Sequence, residues 1–100
     1  MYRSMLKTKR IKIGRKYIQA LCMSLGNKNL VVLKGGQGYV MCGYLDLSAA
    51  DKFNDAAVRI TGVSNIREAL NASVSSCSVA AKQLGIYAGQ PIKDVLKIIA

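Results

Sequence analysis

Three cysteines, a glycine-rich turn and a run of lysines and arginines are the groups through which this chain could do chemistry. Cys22, Cys42 and Cys77 lie 20 and 35 residues apart and form no C-x-x-C pair. A thiol becomes a nucleophile when a base or a positive potential holds it as the thiolate. Histidine is absent, which excludes Ser-His and Cys-His nucleophile pairs, imidazole proton shuttles and zinc sites with a His ligand. Cys42 is the catalytic candidate. It ends a predicted strand, is followed by Gly43, precedes a predicted helix start and shares its half of the chain with many cations. Alternation equally allows it to point into the core. For all three thiols the plain reading is a small buried hydrophobe in a reducing compartment. No metal site and no cofactor is expected.

The turn Gly35-Gly36-Gln37-Gly38 is the second candidate. Phosphate loops work because glycines let backbone N–H groups close on an anion beside a helix N-terminus. Here Tyr39-Val40-Met41 follows and reads as strand, no G-K-[ST] is present, and the G-x-G-x-x-G spacing is missing. A hairpin turn is the bland alternative to an anion held with Lys34 beside it. A ligand or anion site, if the chain has one, is expected around Gly35, Gly36, Gly38, Cys42 and Asp46, where turn, thiol and helix start approach one another. The carboxylates are too few and scattered for an acid/base pair.

Charge supplies the third candidate. The 100 residues carry a formal charge of +10. Up to Leu45 there are nine basic residues and no acidic one, and from Asp46 onward six basic residues face five acidic ones. A nucleic-acid or polyanion surface would draw on Lys7, Lys9, Arg10, Lys12, Arg15 and Lys16, with Arg3, Lys28 and Lys34 adding to the field. Tyr2, Tyr17, Tyr39 and Tyr44 are available to stack on bases. Alternating lysines also describe a solvated strand, and no helix-turn-helix, zinc-finger or ribonucleoprotein signature accompanies them.

These groups must be positioned by a small α+β domain spanning residues 1–100. Leu6 to Ile13 alternates, with Ile11 and Ile13 in and Arg10 and Lys12 out, and Gly14 ends it. Tyr17 to Leu25, Leu30 to Lys34 and Tyr39 to Cys42 complete an antiparallel meander of about four strands, with Gly26-Asn27-Lys28 and the glycine cluster as turns. Lysines along the first strand are one way to blunt an exposed edge. The period then changes. Asp46 or Ser48 can cap a helix to about Asn54, with Ser48 and Asp51 at capping-box spacing. Ala57 to Thr61 is one further strand. Two to three short helices follow. Asn65 and Glu68 form a capping box for a helix ending near Asn71. Ser73 opens a longer helix with Val74, Cys77, Ala81 and Leu84 on one face and Gly85 at its C-terminal end. Pro91 takes a first helical position before an Ile92, Val95, Leu96, Ile99 stripe.

The totals agree. Hydrophobic residues make up 51% and charged residues 20%, the composition of a folded domain. Apolar runs fall far short of the ~18 residues of a membrane span. Met1-Tyr2-Arg3-Ser4 has no apolar h-region behind it, so a cytoplasmic location is expected.

The segment Gly38-Tyr39-Val40-Met41-Cys42-Gly43-Tyr44-Leu45-Asp46 resembles the G-Y-[IV]-M-C-G-x-L-D signature of the YunC-like family, DUF1805. Gly62-Val63, Ile66, Ala80-Ala81, Leu84-Gly85-Ile86 and Gly89 are similar to it in order and spacing. The match covers roughly residues 11–100. The resemblance implies an N-terminal β region, about residues 5–44 here, that mediates tetramerisation, and it attaches no biochemical activity. The expected protein is a cytoplasmic homo-oligomer acting as a binding or structural module, whose partner is itself. Nucleic-acid binding and a Cys42 thiol enzyme stand as the alternatives.

Overall fold

Alternating side chains and two-residue turns build the first half. The computed structural model describes residues 6–100, so Tyr2, Arg3 and the reading of Met1 to Ser4 lie outside the described residues. Strands β1 (Leu6–Ile13), β2 (Lys16–Leu25), β3 (Lys28–Lys34) and β4 (Tyr39–Met41) form the expected antiparallel meander. Gly14 and Gly26 open its first two turns at φ 63° and 57°, which glycine adopts without a Cβ penalty. The pairs Ile13 with Lys16 and Leu25 with Lys28 close them.

The second half completes a six-stranded sheet whose order follows the sequence. Helix α1 (Leu47–Lys52) crosses over so that β5 (Ala57–Arg59) runs parallel to β4, with Val58 beside Val40. After α2 (Ile66–Leu70), β6 (Ser76–Cys77) pairs antiparallel with β5, and α3 (Val79–Gln83) and α4 (Ile92–Ile99) end the fold. The class is α+β, as expected. The parallel pair and the sixth strand are additions to that expectation.

The pleat gives the sheet two faces with different fates. The inner face carries Ile18, Ala20, Val31, Leu33, Val40 and Val58, all buried in the main core with α4. The predicted stripe Ile92, Val95, Leu96 and Ile99 is at most 1% exposed, and each such side chain contributes about 2 kcal/mol by leaving water. On the outer face, α1 covers only the β4–β5 end, where Leu45, Ala50 and Ala57 pack with Tyr39, Met41 and Leu47. The outer face of β1, β2 and β3 is left without a helix among the described residues. Leu21, Met23, Leu30 and Val32 lie there half-buried.

Several local expectations are corrected. Ser73 does not open a helix: it forms an isolated bridge with Pro91, and the Ser75 amide donates to Arg59 O at 2.9 Å. Bonds to the sheet outcompete a helix in this serine-rich run, because serine serves a strand edge or a cap better than a helix interior. The helix begins only after Ser78, whose hydroxyl accepts from the Ala81 amide. Leu84 is accordingly not a core residue and is 39% exposed. Asp46, rather than a Ser48/Asp51 box, caps α1, while Asp51 Oδ1 accepts from the distant Val79 amide at 2.8 Å. Glu68 closes its box on the Ser64 amide at 2.7 Å, one residue before the cap Asn65. Pro91 is the N-cap of α4 rather than its first helical residue.

Candidate functional site

The glycine turn is built to let backbones touch. A Cβ on Gly35 would collide with Ile99 O, and one on Gly38 would stand 2.5 Å from Ala56 O. The amides of Gly35 and Gln37 are already committed, to Gly38 O at 2.9 Å and to Ile99 O at 2.8 Å. The loop therefore anchors the end of α4 against the sheet. Of its three glycines only Gly36 has room, since a Cβ there would come no closer than 3.8 Å to a neighbour, Ala100 C.

Cys42 is 4% exposed. Its sulfur accepts from the Val31 amide at 3.5 Å and its thiol reaches Asn29 O at 3.8 Å, so it ties β3 to the chain leaving β4. Cys22 and Cys77 behave alike, donating to Ser64 O at 3.6 Å and Ile86 O at 3.7 Å. Burial pushes the Cys77 thiol above its ordinary pKa, with Lys82 opposing and Asp51 adding to the shift. Asp46 is exposed and spends its carboxylate on the amides of Ser48 and Ala49 at 2.9 and 3.4 Å. The structure thus does not gather Gly35, Cys42 and Asp46 into one cavity. Among the described residues no group of three or more His, Cys, Asp or Glu could hold a metal ion.

The basic residues are divided by the pleat. Lys7 and Lys9 stand opposite Cys22 and Ala20 on the inner face, whereas Arg10 and Lys12 stand opposite Gln19 and Tyr17 on the outer face. Arg15 lies in the first turn and Lys16 opens β2. On the outer face the Arg10 guanidinium sits 4.4 Å from the centre of the Tyr17 ring, a cation–π contact. On the inner face Lys7 and Lys9 meet Arg67 of α2 and Lys93 of α4 around a cleft of about 680 Å³. Sequence reasoning placed Lys7 and Lys9 in one group with Arg10 and Lys12 and did not single out Arg67 or Lys93. The alternation of β1 carried the signal for that division, but nothing local in the sequence brings α2 and α4 to it.

A second cleft, of about 570 Å³, shares Asn29 and Ser64 with the first. The Asn29 Nδ2 to Ser64 O bond, at 2.8 Å, pins β3 to the loop before α2 at that point. The signature residues Cys42, Gly43 and Tyr44 form one wall and Lys28, Arg59 and Thr61 supply its polar groups. Arg59 Nε is buried there with no hydrogen-bond partner, a cost normally offset by a bound group or water.

Fold and clefts together define a small mixed-sheet α+β domain with two cation-lined clefts meeting at Asn29 and Ser64, and no helix long and apolar enough to cross a membrane among the described residues. The chain belongs to the family described as Domain of unknown function (DUF1805), whose profile matches residues 41–99, from the end of β4 through α4. It is 30% identical over 90 residues to the uncharacterized protein YunC of Bacillus subtilis (strain 168), covering 86% of this chain and 89% of that one. It is also similar to the crystal structure of a protein of unknown function from Thermoplasma acidophilum, at 35% identity with a TM-score of 0.93, over 100% of both chains. No activity is assigned to the family or to these relatives. The second cleft's Cys42 to Tyr44, Arg59 and Thr61 to Ser64 all lie inside the matched segment. Lys7 and Lys9 of the first cleft lie outside it.

Proposed function

We propose that this protein is a homo-oligomeric binding module of the cytoplasm, assembled through the outer face of β1, β2 and β3. The observation that carries this reading is the band of Leu21, Met23, Leu30 and Val32, which no helix of the described chain covers. A sheet face of this kind normally packs against a second layer, and exposed apolar patches commonly mark association surfaces. A second copy is the natural occupant. The β meander is the part through which the family resemblance implies tetramerisation, and a self-complementary patch closes readily into a symmetric assembly. Arg10, Lys12 and Lys34 rim the band, which leaves the like charges at the margin of the contact where solvent screens them.

A cytoplasmic location suits three unpaired thiols held in the interior. Light scattering on the eluting protein tests the assembly: the expected mass is about four times the 10.8 kDa chain. A monomer at tens of micromolar or above would overturn this reading.

A further inference from the structure

We infer that the inner cleft ringed by Lys7, Lys9, Arg67 and Lys93 is a binding site for a small molecule carrying two or more phosphates and a flat apolar group, the chemical class of a nucleotide.

The four cations come from β1, α2 and α4 and converge on one cavity. None of the chain's five acidic residues lines it. Among the described residues, none of the four side chains has an ion-pair or hydrogen-bond partner within the protein. Like charges brought together on a folded surface repel, and an anion seated among them relieves that repulsion. A diphosphate offers the charge and the several acceptor oxygens that one Arg fork and three Lys ammonium groups require.

The same cleft has an apolar wall formed by Ile66, Leu70 and Cys22. Its volume, about 680 Å³, falls in the range of ~300–1,000 Å³ for small-molecule sites. The charge addresses the phosphates and the wall addresses the rest of the ligand. A nucleic-acid polymer fits less well, because Arg10 and Lys12 face the opposite side of the sheet and cannot extend a phosphate track from this cleft.

The test is calorimetric titration of the full chain with inorganic pyrophosphate, ADP and adenosine. Pyrophosphate and ADP should bind, ADP more tightly, and adenosine should not. Lys9→Gln and Arg67→Gln should each weaken ADP binding about tenfold or more, the loss of a charge-assisted contact. Arg10→Gln and Lys12→Gln should leave it unchanged. All four positions are exposed, and circular dichroism checks that each variant keeps its fold. No binding of pyrophosphate or ADP at millimolar concentration overturns the proposal. So does an equal loss from the outer-face pair, and so does a single-stranded oligonucleotide that binds better than ADP and depends on both faces.

Discussion

Lys9 and Arg10 are adjacent in the chain and occupy opposite faces of the sheet. Lys9 stands opposite Ala20 and lines the inner cleft, while Arg10 stands opposite Gln19 with its guanidinium 4.4 Å from the Tyr17 ring centre. One pleat step therefore converts a continuous basic run into two separate surfaces. The outer one borders an apolar band and the inner one rings a cavity, so charge reversal at neighbouring residues should have different consequences.

Ser78 is fully buried and its hydroxyl joins three segments. It donates to Asp55 O at 2.6 Å and accepts from the amides of Ala57 and Ala81 at 2.9 and 3.2 Å. Ser78→Ala removes the cap of α3 and strands the buried Ala57 N–H at the start of β5. The expected loss is about 2–3 kcal/mol, read from the midpoint of urea unfolding.

The glycine turn makes a paired prediction. Gly35→Ala places a methyl against the backbone of Ile99, where nothing flexible can give way, and should cost about 3 kcal/mol. Gly36→Ala meets nothing closer than 3.8 Å and should change stability by no more than about 0.5 kcal/mol. Thermal melts of the two variants distinguish a packing turn from one kept for flexibility.

Tyr39 donates to Asp55 Oδ2 at 3.1 Å. Burial first, then the Asp55 bond and the Asp55 charge, raise its phenol above the ordinary tyrosine value. The unfolded chain releases this proton first as pH rises. Its stabilising contribution is thus complete below the ordinary value of about 10 and is lost as pH climbs through the raised one. Between about pH 8 and about pH 11, Tyr39→Phe should lose less stability than the parent protein, as measured by urea midpoints at each pH.

Cys42 should be inert in the folded protein. With 4% exposure and bonds to β3, it should react with iodoacetamide only as fast as the chain opens. Peptide mapping after brief alkylation checks this. Rapid modification of Cys42 under native conditions would return it to candidacy as a nucleophile.

Much of this fold is legible in the sequence wherever local pattern and tertiary packing agree. Alternation and the Gly14 and Gly26 turns mark the hairpins, and Ile92, Val95, Leu96 and Ile99 mark the last helix. Ser73 to Ser78 is different. Val74, Cys77 and Ala81 suit a helix face, but bonds to Arg59 O and Gln90 O hold this stretch as extended chain, and those partners are distant in sequence. The clefts are hidden for the same reason. Arg67 and Lys93 join Lys7 and Lys9 only once α2 and α4 pack over the inner face. The outer band is half legible, since alternation separates Leu21 and Met23 from Ala20 and Cys22, whereas only the folded chain shows that α1 stops short of covering them.

Sedimentation equilibrium of the Leu21→Lys, Val32→Lys double variant tests the central claim most directly. These side chains sit opposite each other on β2 and β3 in the middle of the bare band. Assembly through the outer face predicts an oligomeric parent protein and a variant that sediments as a 10.8 kDa monomer with an unchanged circular dichroism spectrum. A variant that keeps the parent's mass would contradict the outer face as the assembly surface.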